Sequence, residues 1–298
     1  MLPLVVLVGM LSALVFGSAD FLGGLATKRI SPLRVTAIAA AVGLVVLLIA
    51  YPLVGGAWSW SAVLFGGLSG VSGALAISLL YACLAIGPMS ILSPVTAVVS
   101  AIVPAAIGIF VRGDHFGPLG YIAISLALVA IVLVGFVRDP RAVRPTVRAL
   151  IMAVGSGTCI GLFLVIIDLT PTNSGLVPLI ANRAVNGLIM FATVGVVALL
   201  ARRRERLNPA MTPTGARGGG WRPGIRLAIA CGVVDAIANC GLLLGIRIGD
   251  LSVIAVLTAL YPAGTIILAA VVLRERIAIV QYIGLALAIG AGALLALD

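Results

Sequence analysis

Histidine occurs once in this chain of 298 residues, and acidic side chains number nine against nineteen lysines and arginines. The single histidine, His115, falls in a short connection beside Asp114, and no apolar stretch offers a base–nucleophile pairing of His with Cys or Ser. A His-Glu-x-x-His pattern is missing, and no glycine-rich phosphate loop precedes a lysine. Zinc hydrolysis and ATP-driven pumping by this chain alone are therefore excluded. Gly155-Ser156-Gly157 reads as helix packing. Cys83, Cys159, Cys231 and Cys240 lie inside apolar stretches without metal-ligand spacing and read as small packing residues. Aromatic residues make up 5%, with no interleaving of aromatics and bases, so the net charge of +10 does not indicate nucleic acid. The sequence implies no enzyme, no cofactor and no metal.

What the chain has in excess is apolar sequence: 62% hydrophobic residues against 9% charged. That balance excludes a soluble domain. A helix needs about 20 apolar residues to cross a bilayer, and the pattern predicts ten such helices, at about 4–26, 33–54, 61–84, 89–111, 117–137, 149–168, 177–200, 225–246, 251–273 and 277–297. Residues 1–26 lack a basic leading segment and read as a retained first helix. Sixteen of the nineteen cations fall in the connections after helices 1, 5, 7 and 9, whereas only Arg112 and Arg247 lie in connections on the other side. Such a bias is a topology signal. It places residues 201–224, the longest polar segment, in the cytoplasm of a multi-pass plasma-membrane protein, with both termini outside.

The span from Ile248 to Leu297 has a near copy at Ile86 to Gly135. Gly87, Ser90 and Thr96 match Gly249, Ser252 and Thr258. A polar hinge follows in each, Arg112-Gly113-Asp114 and Arg274-Glu275-Arg276, and Tyr121-Ile122 then falls on Tyr282-Ile283 after one residue of slip. The fold expected is all-α and polytopic, with ten transmembrane helices in two five-helix repeats, 1–137 and 149–298, joined by a basic linker at 138–148. Five is odd, so homologous halves must sit in the membrane with opposite orientation, the inverted-topology arrangement of many carriers. Gly284, Ala288, Gly292 and Ala296, like Ala123, Ala127 and Gly135, form small-residue faces that suit close helix packing within the chain or a homodimer.

An ionisable side chain inside a span costs about 3 kcal/mol on insertion scales and needs a partner or a wet cavity. Asp235 lies mid-span in helix 8 with Asn239 one turn on; Asp20 lies in helix 1 between Gly17 and Gly24; Arg183 lies in helix 7. Arg183 could pair with Asp168 or with Asp235 and merely hold helices together. Pro94 and Pro104 bracket Ser100 in helix 4, and Tyr261-Pro262 falls mid-way in helix 9, where a lost backbone bond exposes carbonyls. Thr96 and Thr258 occupy equivalent places, and Tyr81 and Tyr261 offer hydroxyls nearby. These eight residues, Asp235, Asp20, Asn239, Arg183, Tyr261, Tyr81, Thr96 and Thr258, are the candidates for binding a substrate or a coupling proton. Burial should move a mid-span carboxyl toward neutrality and make it a proton carrier or the partner of a cationic substrate.

The segment Gly17-Ser18-Ala19-Asp20-Phe21-Leu22-Gly23-Gly24 with Ser31-Pro32, the run Tyr81-Ala82-Cys83-Leu84-Ala85-Ile86-Gly87, and the Arg274-Glu275-Arg276 hinge with Tyr282-Ile283-Gly284 carry a family resemblance. The chain resembles the EamA-like branch of the drug/metabolite transporter superfamily over nearly its whole length. The resemblance implies a secondary carrier, commonly an exporter, of amino acids, other metabolites or drugs, working by alternating access. Its site would lie between helices 1–4 and 6–9, with helices 5 and 10 peripheral. It also implies cytoplasmic termini and basic residues after helix 2, yet here that connection, residues 54–58, is uncharged. The partners expected are a small-molecule substrate and membrane lipid, with a proton as the candidate coupling ion. The competing readings are a structural or regulatory membrane subunit, which should lack a central polar cavity, and a membrane enzyme acting on a lipid-linked substrate, which would need catalytic groups converging at one depth.

Overall fold

The structure, a computed structural model, describes residues 2–87, 89–135, 145–207, 224–274 and 277–298. Pro88, most of the linker (138–144), most of the Arg-rich segment (208–223) and Glu275-Arg276 of the last hinge lie outside the described residues, as do the side chains of Tyr81 and Ser90. Among the described residues there are ten spans long and apolar enough to cross a membrane. Eight are single α-helices: α1 (Leu2–Thr27), α2 (Pro32–Val54), α3 (Trp60–Ile86), α5 (Pro118–Gly135), α6 (Val147–Asp168), α7 (Val177–Leu207), α8 (Ile225–Ile248) and α11 (Ile279–Leu297). The fourth is α4 (Met89–Ile107), which ends in a π turn at Gly108–Arg112. The ninth is split into α9 (Leu251–Thr258) and α10 (Tyr261–Val272).

The split arises where Pro262 removes the amide that would bond the Thr258 carbonyl. Leu260 and Ala263 instead donate three residues back, to Leu257 at 3.1 Å and Leu260 at 2.9 Å. The matching place in α4 is Ser100, which keeps its amide, and α4 runs on through Pro94 and Pro104. Ten spans were therefore legible, whereas the break in one of two related spans depends on a single proline. α7 runs past the expected end at 200 to Leu207, because Arg and Glu sustain a helix beyond the apolar stretch.

Leu4, Leu7, Leu11 and Leu14 of α1 are exposed, while Val5, Val6, Gly9, Ala13 and Gly17 on the other side are buried. Large residues thus face outward and small ones inward. In lipid no hydrophobic drive joins helices, and backbone approach supplies the packing instead. The main contacts are α1 with α8, α9 and α10; α3 with α6 and α7; α4 with α6; α2 with α7 and α8; and α5 with α11. In the α5–α11 contact Ala123, Ala127 and Ala288 are buried, and a Cβ on Gly284 would lie 2.8 Å from Val134, whereas Gly292 faces Met10 of α1. Between the α2–α3 and α6–α7 connections the backbones touch, with Ala57 N–H donating to Asn173 at 2.9 Å. Gly56 and Gly175 have φ of 142° and 48°, and a Cβ on either would collide with the opposite loop. Only glycine fits both demands.

Candidate functional site

α1 and α8 run antiparallel. Gly23 faces Cys231, where a Cβ would lie 3.3 Å from Sγ, and Gly241 faces Ser12, where it would lie 2.5 Å from Oγ. Stepping from the first contact three residues along α1 and four along α8 brings Asp20 and Asp235 to about one level, and their charges are close enough to interact. At about 100° per residue, Asp20 projects between the directions of Gly23, which meets α8, and Gly17, which meets α10. Gly24, in the same sector, has open space before it. Asp20 is exposed, on the sector of α1 between its contacts with α8 and α10.

Asp235 is held on α8. Asn239 Nδ2 donates to its backbone carbonyl at 2.8 Å and lies 3.3 Å from Oδ1. The other carboxylate oxygen pairs with Arg183 of α7. Gly43 of α2 faces the arginine, and a Cβ there would stand at ordinary contact, 3.5 Å from both Cδ and Nε. The Arg183 and Asp235 side chains are 13% and 23% accessible, so the pair is largely desolvated. Tyr261, at the start of α10, interacts electrostatically with Asp20. Its segment is anchored on α1 by the Thr265 hydroxyl, which donates to the Gly17 carbonyl at 3.1 Å.

Of the candidate residues, Asp20, Asp235, Asn239, Arg183 and Tyr261 come together. Thr96 does not join them: it is buried in the α4–α6 contact and donates to Leu92 at 3.0 Å and Ala153 at 3.2 Å. Thr258 is buried at the end of α9, its hydroxyl without a hydrogen-bond partner among the described residues. The Tyr81 side chain lies outside the described residues. Asp168 pairs not with Arg183 but with Arg112. Gly43, which lies against the arginine, carries no signal in the sequence.

Asp168 belongs to a second polar group at the end of the bundle where α4, α6 and α8 terminate. It borders a cavity of about 480 Å3. Asp114 accepts from the Ser252 amide at 3.1 Å and hydroxyl at 2.6 Å, and Arg247 donates to the Thr170 carbonyl at 2.7 Å and hydroxyl at 2.5 Å. Burial, and then the neighbouring Asp114 charge, hold the Asp250 carboxyl above its ordinary range. A carboxyl with a raised folded pKa adds stability as pH falls through that pKa, and this contribution is complete below the unfolded value. Asp250→Asn should therefore raise the midpoint of thermal unfolding at pH 7 and shrink the gain that wild type shows on mild acidification. An unchanged midpoint with the same pH slope would mean that Asp250 is not strained by its surroundings.

The model of the EamA-like transporter family matches residues 147–297. The chain belongs to the EamA-like transporter family. Among curated proteins none matches this EamA-like chain in sequence. One solved crystal structure superposes with a TM-score of 0.69 over 97% of this chain and 95% of that one, at 18% identity, a likeness of fold alone. Family and fold together make this a polytopic transporter-type membrane protein. Among the described residues no group of His, Cys, Asp and Glu could hold a metal ion.

Proposed function

We propose that this EamA-like protein is a secondary carrier of small organic solutes, working by alternating access of two inverted repeats, 1–137 and 149–298. The observation that carries the proposal is the meeting, mid-span, of an accessible carboxylate from the first half, Asp20, with a charged pair from the second, Arg183 and Asp235, beside a broken helix. Each charge is costly at that depth, and an exposed carboxylate without a partner braces no helices.

Packing supports the inverted repeats. α3 lies on α6 and α7 as α8 lies on α1 and α2, and α4 lies on α6 as α9 and α10 lie on α1. Close approaches recur between the equivalent helix pairs. A Cβ on Gly70 would lie 2.5 Å from the Asn182 carbonyl, and one on Gly232 would lie 2.7 Å from that of Ala39. A Cβ on Gly161 would lie 2.9 Å from Val103, and one on Gly17 would lie 2.6 Å from the Thr265 amide. With Gly87 on Gly249, Gly70 falls on Gly232 and Val103 on Thr265. Exchange of these equivalent contacts is what alternating access of inverted halves requires.

The Arg112–Asp168 pair joins the end of the fourth span to that of the sixth, beside the 480 Å3 cavity. In proteoliposomes, exchange of radiolabelled amino acids, amines and sugars by the R112C/D168C variant should stop on treatment with a reducible bis-methanethiosulfonate cross-linker and return on reduction. Equal exchange in both states would remove opening of that end from the cycle. No exchange of any of these solutes by wild type above protein-free vesicles would sink the carrier reading.

A further inference from the structure

We infer that a cleft between the α1–α2 connection and α7 is a binding site for an anionic phospholipid. The cleft has a volume of about 500 Å3 and lies at the end of the bundle opposite the Arg112–Asp168 pair. Its rim carries Lys28 and Arg29, both exposed, and Arg34, half-buried. Its floor is Val194, Val197, Ala198 and Ala201 of α7. The spacing i, i+3, i+4, i+7 puts those four on one helix face. The two parts differ in kind: the rim suits a phosphate, and the floor suits an acyl chain.

The depth is right for a lipid headgroup. The apolar part of α7 ends at Ala201, α1 ends at Thr27 and α2 begins at Pro32, so the rim stands at the edge of the hydrocarbon. α2 adds a second attraction for an anion. Its cap residue Ser31 makes no side-chain capping bond, and Pro32 opens the first turn, so the positive end of a 23-residue helix faces the cleft. Basic pockets of this kind between membrane helices take acidic lipid headgroups. A free phosphate would leave the apolar floor unfilled, whereas a phospholipid covers both parts. Arg148, another exposed cation, does not line the cleft and serves as a control.

Native mass spectrometry of the full chain in detergent, with phosphatidylglycerol and phosphatidylcholine of identical acyl chains added in equal amounts, tests the site. Wild type should retain phosphatidylglycerol in preference. K28Q/R29Q should weaken that retention by about fivefold per lost cation, and R148Q should leave it as it is. Ala198→Trp fills the floor without touching a charge, and it should also lower retention. Equal retention of the two lipids by wild type would overturn the site, as would wild-type selectivity in both K28Q/R29Q and Ala198→Trp. If inorganic phosphate alone raises the unfolding midpoint as much as phosphatidylglycerol does, the cleft is an anion site and the lipid assignment fails. Unfolding midpoints near wild type for K28Q/R29Q and Ala198→Trp show that lost retention is not lost folding.

Discussion

Asp20→Asn is expected to remove gradient-driven transport while leaving the fold intact. Both Asp20 and Asp235 reach the centre of the bundle, but Asp235 is met by Arg183 and Asn239. Asp20 has no hydrogen-bond or ion-pair partner among the described residues and is exposed to the space between α8 and α10. With both carboxylates ionised, Arg183 compensates one of them and Asp20 is left without a counter-charge. A cationic solute group or a proton is its complement. If a solute cation binds there, Asp20→Asn should weaken binding by about thirtyfold or more, the cost of truncating one partner of a desolvated charge pair. Exchange and gradient-driven uptake would then fall together. If the carboxyl carries the coupling proton, exchange of labelled solute should survive while uptake against a gradient disappears. Wild-type rates in both assays would leave Asp20 outside the transport cycle, since Asn keeps the shape and removes only the titration. Asp20→Glu separates charge from geometry: it keeps the titration, and partial recovery is expected.

The number of spans, the polar hinges and the candidate charges were legible because each follows from composition and spacing along the chain. The interior of the site was not, because it is built where the repeat departs from itself. In the register that puts Gly70 on Gly232, Asp235 falls on Gly73 and Asn239 on Ile77. In the register of Gly17 with Gly161, Asp20 falls on Leu164, and Arg183 falls on Ala40 where Asn182 matches Ala39. The backbone approaches repeat, but the charges occur once. Sequence reasoning ranks Asp235 first because it is deepest in its span. Which carboxylate is left for a solute depends on which one the arginine reaches. That is decided by how α7 and α8 are set against each other, with α2 packed on both, and composition carries no such message. The pairing of Asp168 with Arg112 instead of Arg183 has the same origin: it depends on which helix ends meet, and α4 and α6 pack side by side.

Arg183→Gln should be among the most destabilising single changes in the chain, costing about 3–5 kcal/mol, because it strands the Asp235 carboxylate in a desolvated position. Asp235→Asn should cost less, since the long arginine can swing toward Asp20 and keep a counter-charge. The double variant R183Q/D235N leaves no buried charge in the pair and should recover most of the loss. The coupling read from the cycle of single and double variants, by unfolding in detergent, measures how far the two depend on each other. Additive losses would mean that the pair contributes little as a pair. Transport divides the outcomes further. The pair joins α7 to α8, both in the second half, so a pair that only braces those helices would leave R183Q/D235N stable and active. A stable double variant without exchange would instead assign the charges to the solute, because packing alone had already been restored.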